Sequence, residues 1–399
     1  MSDQSTPMVY LDWAATAPLC SQAADAMIPF LQPGCEHIAN GSANANSLYT
    51  AGRNAFRSLE ESRRILARAV DARPDEMIFT SGATEADNAA LFGIVDALMM
   101  QADHGGDHDC VPQVVISSIE HDAVLEAARV LAGWGAEVTL VEPNAQGVVT
   151  PEALRAAMNE RVRLVSVMAV NNEVGSVMDV AALAKEAHDA GALFHTDATQ
   201  ALGKVPISVK EWGVDALSLS AHKVGGPKGV GALYVKARTP FTAQMVGGGQ
   251  ELGKRSGTQN VMGAAGFAAA AKAAVEGLDR NAAHMRGLRD ACYEGLLAFS
   301  CVKPVVSVSP GSEEFAPHIV NVMARGFESE TLILQLDNRG FCVSGGSACS
   351  SSSLEPSHVL RALNISKDDA LCSLRVSVGP DTTMGQIRAF LEAFSEVVQ

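Results

Sequence analysis

Short apolar runs alternate with longer alanine-rich segments along the first two thirds of the chain. Uninterrupted apolar runs are typical of strands that are buried on both faces, and they predict strands at residues 77–80, 113–118, 163–170, 192–196, 216–220 and 230–235. The segments at 85–98 and from Asp122 onward have helical character. This alternation predicts an α/β fold with a mostly parallel sheet covered by helices.

The pattern changes after about residue 262. A long alanine-rich helix is predicted at 264–277, followed by short strands at 304–308, 318–323 and 374–378 between helices. The strand at 8–11 could join either part. We therefore predict a large α/β domain over 19–262 and a smaller α+β domain made of 1–18 and 263–399.

Composition narrows the functional classes. Of 399 residues, 47% are hydrophobic and 19% are charged, which is typical of a soluble globular protein. The net charge of −15 disfavours a nucleic acid or an anionic membrane as partner. We find no signal peptide and no apolar run long enough to span a bilayer. The eight cysteines form no C-x-x-C pair, so we expect a reducing cytoplasm and predict no metal site.

Two turns place polar groups directly after predicted strands. The segment 80–85 joins a strand to a helix that starts with small residues, so its backbone amides could bind a phosphate, although an ordinary helix cap is an alternative. Asp197 follows another strand, at the edge where open α/β sheets bind ligands. Its carboxylate could keep a pyridinium nitrogen protonated, or it could simply cap a helix. Gln200 could then donate to the phenolic oxygen of the same ring.

Lys223 lies in the turn Ser220-Ala221-His222-Lys223, which continues into a glycine-rich stretch. A lysine that ends a strand can be buried near other cations, and both effects favour the neutral amine that forms a Schiff base. Lys228 fits the alternative of a solvated loop lysine. Lys223 follows Asp197 by one strand–helix–strand unit, so the two residues could converge on one crevice and hold pyridoxal phosphate there.

Two further residues are candidates for binding or attacking a substrate. Cys349 lies among glycines and serines, where a thiol can be reached and deprotonated, although a structural thiol is equally compatible with the pattern. Arg375 lies in a predicted strand. It could bind a substrate carboxylate through two hydrogen bonds, or it could face solvent or pair with an acid.

These motifs together resemble a known family. From Tyr10 to beyond Arg375 the chain is similar to the cysteine desulfurases, which are pyridoxal-phosphate-dependent enzymes of aminotransferase class V with fold type I. The resemblance is carried by the motifs at residues 81–85 (SGATE), 120–121 (EH), 171–175 (NNEVG), 195–200 (HTDATQ), 220–223 (SAHK), 255–258 (RSGT) and 347–349 (SAC). Residues 354–360 resemble the long-loop branch, which feeds iron–sulfur cluster assembly.

The resemblance implies a seven-stranded, mostly parallel sheet in the large domain and a role for each matching residue. Lys223 would carry the cofactor, Asp197 would contact its ring nitrogen, and His121 would stack on the ring and take part in proton transfer. The remaining cofactor contacts would come from Ala83, Thr84, Asn172, Gln200, Ser220 and His222. Thr258 would reach the phosphate of a neighbouring subunit, which implies a homodimer.

The implied reaction converts L-cysteine to alanine. Asn172 and Arg375 would bind the substrate carboxylate, Lys223 would take the α-proton, and Cys349 would attack the substrate sulfur and become a persulfide. That sulfur would pass to an acceptor or iron–sulfur scaffold protein. Selenocysteine lyase and class V aminotransferase remain alternatives, and a non-catalytic scaffold is a third. The stretch 44–49 departs from the family, because Tyr49 stands where a histidine is usual.

Overall fold

The computed structural model describes residues 8–105, 112–346 and 356–399. The strands in this part of the chain are β1 (Val9–Tyr10), β2 (Met77–Thr80), β3 (Gln113–Ser117), β4 (Glu137–Val141), β5 (Val162–Ser166), β6 (Leu193–Asp197), β7 (Ala216–Ser220), β8 (Gly231–Val235), β9 (Val302–Pro304), β10 (Ile319–Ala324), β11 (Phe341–Cys342) and β12 (Ser373–Ser377). The α-helices are α1 (Ser21–Met27), α2 (Thr50–Ala69), α3 (Ala83–Gly105), α4 (Asp122–Gly133), α5 (Pro151–Ala157), α6 (Val180–Asp189), α7 (Val209–Trp212), α8 (Val261–Glu276), α9 (Leu278–Leu297), α10 (Ser329–Asp337), α11 (His358–Ala362), α12 (Lys367–Ala370) and α13 (Met384–Val398).

Within the described residues, one seven-stranded sheet has the order β2-β8-β7-β6-β5-β3-β4. Only β8 runs antiparallel to its neighbours, β2 and β7. The sheet confirms the predicted α/β fold, because its central strands are buried along their whole length as uninterrupted apolar runs require. β6 and β7 are adjacent and parallel, with Asp197 opposite Ser218. Their carboxyl ends therefore open at the same edge of the sheet.

The C-terminal part forms a second set of strands. β12, β10 and β9 make an antiparallel sheet, and β1 pairs with β11 in parallel. These strands share an apolar core with α9, α10 and α13 that contains Leu11, Phe390 and Phe394. The distribution of the cores is consistent with the predicted domain division, which stays a prediction.

Two predicted strands have different bounds in the structure. β5 ends at Ser166 rather than at residue 170, because the chain then folds back on itself and Val170 bridges to Val177. The strand predicted at 304–308 is instead β9, which ends at Pro304. Proline has no amide to continue a ladder, and beyond it only Val305 still bonds across to β10.

In the described part of the chain, no single helix has the length and hydropathy needed to cross a membrane; α8 and α9 satisfy that test only as a pair bent by 75°.

Candidate functional site

A cavity of about 260 Å³ lies at the carboxyl ends of β6 and β7. Its walls contain ten of the twelve residues predicted for the site: Ala83, Thr84, His121, Asn172, Asp197, Gln200, Ser220, His222, Lys223 and Arg375. Thr258 is exposed on a separate loop and does not line the cavity. Cys349 lies outside the described residues.

A wider crevice of about 540 Å³ lies between α8, α9 and the N-terminal segment. Of the predicted site residues, its walls contain only Lys223. We therefore place the candidate chemistry in the smaller cavity, where the polar groups converge.

One end of the cavity is built by the start of α3. Ala83 and Thr84 are the first residues of this helix, and an added Cβ on the preceding Gly82 would meet no atom within 4 Å, so the space in front of the helix is open. Gly231 of β8 is packed so closely that a Cβ would come within 2.6 Å of the Gly82 backbone. The open space and the helix amides together suit an anion.

His222 borders the same end of the cavity and is held by Thr16, whose Oγ1 lies 3.1 Å from its Nδ1. Burial, followed by the nearby charges of Lys223, Lys228 and Lys204, lowers the pKa of His222 to about 4. The ring is therefore neutral at neutral pH and can donate one hydrogen bond without adding charge.

Lys223 follows β7 in a short helical turn, and its ε-amine points back to the N-terminal segment. Nζ donates to the carbonyl oxygens of Ala14 and Ala15 at 2.6 and 2.9 Å. Lys204 donates to the carbonyl oxygen of Lys223 at 2.5 Å. Burial, together with the charge of Lys223, lowers the pKa of Lys204 to about 7. The side chain of Lys204 thus contacts the main chain of Lys223 at this turn.

Asp197 ends β6 and is nearly buried. Its Oδ1 accepts from the backbone amide of Thr199 at 2.8 Å. Behind it, His195 contacts Ser166 and Ser218 through its two ring nitrogens, at 2.8 and 3.0 Å. Burial lowers the pKa of His195 to about 3, so this ring is neutral. The His195 ring therefore joins β5, β6 and β7 by neutral hydrogen bonds two residues before Asp197.

Two more carboxyl groups are buried close to Asp197. Burial first, and then the charge of Asp197, raises the pKa of Asp87 well above its usual value. Burial also raises the pKa of Glu120 to about 8, against the opposing effect of hydrogen bonds from Ser117 and the Met168 amide. Glu120 therefore holds a proton at neutral pH, and burial favours the neutral form of Asp87 as well. Of these three carboxyl groups, Asp197 is the one that lines the cavity.

His121 caps α4 at the cavity wall. Its Nδ1 accepts from the Ala123 amide at 3.1 Å. Nε2 is therefore the ring nitrogen that remains for contact with a ligand. The hydrogen bond to the first turn of α4 holds the ring in place.

Gln200 is held by two groups from distant parts of the chain. Its Nε2 donates to the carbonyl oxygen of Ala14 at 2.8 Å, and its Oε1 lies 3.2 Å from Nε2 of His318. Both side chains are buried.

Arg375 reaches the cavity from β12 and is almost completely buried. Its Nη1 donates to the carbonyl oxygen of Asn172 at 2.9 Å, and its Nη2 pairs with Asp12 at 3.0 Å. Among the residues that the structure describes, Nε has no hydrogen-bond partner. A buried guanidinium with an unused donor suits an anionic ligand.

The described residues on either side of segment 347–355 contact the cavity wall. Ser344 and Arg375 exchange backbone hydrogen bonds, and Ser357 donates from Oγ to Glu173 Oε2 at 2.6 Å. Glu173 directly follows Asn172, and burial raises its pKa against the effect of this donor. Both ends of the segment that contains Cys349 are thus attached beside predicted substrate-binding residues.

Five groups at the site were not identified from the sequence: Asp12, Asp87, His318 and the carbonyl groups of Ala14 and Ala15. Asp12 directly follows an apolar run, and that position could have marked it. A main-chain carbonyl group cannot be recognised from the type of residue that carries it. Asp87 lies in a predicted helix and His318 in a predicted strand, and neither segment has a motif that indicates a functional site.

Comparison with known proteins gives concordant results. The sequence profile of the aminotransferase class-V family matches residues 9–390. A cysteine desulfurase IscS of Dictyoglomus turgidum is 38% identical over 98% of this chain and 94% of its own length, and one of Neisseria meningitidis is 40% identical over 95% and 89%. A solved structure of a NifS-like protein superposes with a TM-score of 0.86 at 32% identity, covering 98% of this chain and 99% of that one. The structure titled SspA in complex with cysteine has a TM-score of 0.77 at 29% identity, covering 94% and 99%.

Proposed function

Because this chain belongs to the aminotransferase class-V family and is a cysteine desulfurase, we propose that it holds pyridoxal phosphate through Lys223 and transfers the sulfur of L-cysteine to Cys349. The observation that carries the proposal is the convergence of Lys223, Asp197 and the start of α3 on one cavity.

The residues fit the cofactor at three separate points. The open space before α3 and the hydroxyl of Ser220 would hold the phosphate, with Ala83, Thr84 and His222. Asp197 would bind the ring nitrogen, and Gln200 would donate to the ring oxygen. When bound, the cofactor supplies an electron sink for the carbanion that forms when the α-proton leaves.

Arg375 and Asn172 would orient the substrate carboxylate. The unused Nε of Arg375 and its two fixed η-nitrogens support this role, because Asp12 and the Asn172 carbonyl hold the guanidinium plane in one direction. Lys223 would take the α-proton at Nζ. The Ala14 and Ala15 carbonyl oxygens provide acceptors for that ammonium after transfer. His121, fixed by its Nδ1, would exchange protons at Nε2.

The thiolate of Cys349 would attack the substrate sulfur, the carbon–sulfur bond would break with its electron pair left on the carbon, and a proton would convert that carbon to the methyl group of alanine. Cys349 would then carry the sulfur as a persulfide. The described anchors of its segment, Ser344 against Arg375 and Ser357 against Glu173, support its placement next to the substrate. We propose that the sulfur then passes to an acceptor protein for iron–sulfur cluster or other sulfur-cofactor synthesis in the cytoplasm.

An exposed apolar surface supports a homodimer. Leu48, Tyr49, Phe56 and Leu252 are each at least half exposed. Asn46 bonds to Gln259 at 3.0 Å across the same surface, next to Thr258. Covering these side chains with a second copy would bury apolar area and bring Thr258 to the other subunit.

The decisive experiment is a cysteine-dependent alanine assay with mass spectrometry of Cys349. We expect one alanine per turnover and a persulfide on this thiol. Cys349→Ala should keep the cofactor bound but lose alanine formation. Continued alanine formation in that variant would favour a lyase such as selenocysteine lyase, and a 2-oxo acid product in place of alanine would favour a class V aminotransferase. The absence of a cofactor absorbance band that borohydride fixes to Lys223 would favour a non-catalytic scaffold. Selenocysteine assayed in parallel measures the substrate preference.

A further inference from the structure

His318 lies just before β10, remote in sequence from every residue assigned above, yet its ring contacts Gln200 inside the cavity wall. We propose that His318 is a positioning residue that fixes the direction of the Gln200 amide and so presents its N–H to the ring oxygen of the cofactor. This inference rests on the proposed cofactor site and deepens it.

The direction of the amide follows from its other contact. The carbonyl oxygen of Ala14 can only accept a hydrogen bond, so the group that faces it at 2.8 Å must be the NH₂ of Gln200. The amide oxygen then faces His318. The NH₂ group has two hydrogens, and one of them is used by Ala14. The second remains for a ligand in the cavity that Gln200 lines.

The protonation of His318 follows from its surroundings. The hydrogen bond to Gln200 Oε1 requires a proton on Nε2. The opposite nitrogen, Nδ1, has no partner among the described residues, so a proton there would be a buried unsatisfied donor. Burial first, and then the charges of Lys204, Arg375, Lys223 and Arg289, lowers the pKa of His318 well below its usual value. His318 is therefore a neutral donor through Nε2.

The ring is also fixed on its main-chain side. The carbonyl oxygen of His318 accepts from the amide of Val378 at 2.9 Å, just beyond β12. His318 directly precedes β10, which pairs along its length with β12, the strand that carries Arg375. Two paired strands thus contribute to the cavity, β12 through the guanidinium of Arg375 and the start of β10 through the contact of His318 with Gln200.

Loss of the donor would leave a buried amide oxygen without a partner. The Gln200 amide would then be held only by its hydrogen bond to Ala14, and a rotation of the amide plane about that contact would turn its second N–H away from the ring oxygen of the cofactor. A donor to that oxygen favours the form with the greater negative charge on it, which is the form with an unprotonated imine nitrogen. Removing the donor should therefore raise the pH at which the visible absorbance of the bound cofactor changes.

The test compares four variants of the cofactor-loaded enzyme by absorbance titration. His318→Leu should raise the pH midpoint by about 0.4–1 unit, the size of one neutral hydrogen bond. Gln200→Leu should shift it in the same direction, and the double variant should shift no further. His318→Gln, which restores an N–H donor, should return the midpoint toward that of the wild type.

The matched control is His284→Leu. This histidine bonds to the carbonyl oxygen of Thr382 and has no contact with the cavity, so its replacement should leave the midpoint unchanged. If His318→Leu does not fold, His318→Asn serves instead, because its side chain is too short to reach Gln200.

The outcomes separate the two proposals. A midpoint that moves in Gln200→Leu but not in the His318 variants, or shifts that add in the double variant, would overturn the positioning role and leave the cofactor site intact. A wild-type enzyme with no cofactor band would overturn the proposed function itself. Equal turnover losses in all variants without a spectral shift would also contradict the inference, since a purely structural role would produce them.

Discussion

Lys204 donates a hydrogen bond to the carbonyl oxygen of Lys223 at 2.5 Å, so that one lysine holds the main chain of the other. Burial, with the nearby Lys223 charge, lowers the pKa of Lys204 to about 7, although part of its side chain borders the wide crevice. The unfolded chain keeps this lysine protonated at the same pH. Folding therefore releases a proton above pH 7.

This relationship predicts a specific pH dependence of stability. Between pH 7 and about 10 the unfolded state binds more protons at Lys204 than the folded state, so the free energy of unfolding rises with pH, by up to about 1.4 kcal/mol per unit. Lys204→Met should lose that slope. Urea titrations of both proteins at pH 7, 8 and 9 measure the free energy of unfolding. The same dependence on pH in the wild type and in Lys204→Met would contradict the prediction. Lys210→Met, at an exposed pair with Asp71, is the control.

Glu120 changes the free energy of unfolding with pH in the direction opposite to Lys204. Its pKa is raised to about 8 by burial, above the usual value of 4.5. Between these two values the folded state holds a proton that the unfolded state has lost, so the group's contribution to stability falls as pH rises through this window. Glu120→Gln keeps a neutral acceptor for the Ser117 hydroxyl and the Met168 amide. We expect the melting temperature of this variant, measured by calorimetry, to rise relative to that of the wild type between pH 5 and pH 8. A difference in melting temperature that does not change with pH would argue for an ionised Glu120.

Arg375 should control substrate affinity. Arg375→Lys removes the planar donor set that Asn172 and Asp12 orient, and a lost hydrogen bond to a charged group corresponds to roughly a 10- to 100-fold effect. We expect KM for cysteine to rise by that factor, with a smaller change in kcat. Arg325→Lys, at an exposed pair with Asp369, should leave both constants unchanged. A fall in kcat alone would place Arg375 outside substrate binding.

Leu252 has a strained backbone conformation and also lies on the proposed dimer surface. Glu251 and Leu252 both have positive φ, of 51° and 59°, and Leu252 is 67% exposed. Leu252→Gly should relieve about 1 kcal/mol of strain, yet it should weaken association about tenfold by removing an apolar side chain. Sedimentation equilibrium measures the second effect. Leu334→Ala, at a similarly exposed leucine on α10, is the control; a dimer indifferent to Leu252→Gly would move the interface elsewhere.

Most of the cavity was predictable from local sequence. Lys223, Asp197 and Ala83 each lie at or just beyond the carboxyl end of a strand. Parallel strands bring such positions to one edge of the sheet, whatever the side-chain packing. Position along a strand therefore marked them as candidates, and the family resemblance supplied the role expected of each.

The groups that support these residues were not predictable in this way. His318 acts across 118 positions of sequence on Gln200, and Ala14 acts through its carbonyl oxygen. The edge strand β4 was also missed, because the polar residues Glu137 and Thr139 interrupt the continuous apolar pattern that marks the central strands. Burial and contacts between distant parts of the chain determine these contacts and the position of β4. A short stretch of sequence contains neither kind of information.

The parallel pairing of β1 with β11 has a consequence for synthesis of the protein. The segment that provides Asp12 and the Ala14 carbonyl is synthesised before β11 and β12, yet it is held by Phe341 and Cys342 and by Arg375, which lies 363 positions later. A nascent chain that has already completed the large sheet still lacks these contacts. The N-terminal wall of the cavity, with its Asp12 carboxylate and Ala14 carbonyl oxygen, therefore has its full set of supporting contacts only after β12 has been synthesised.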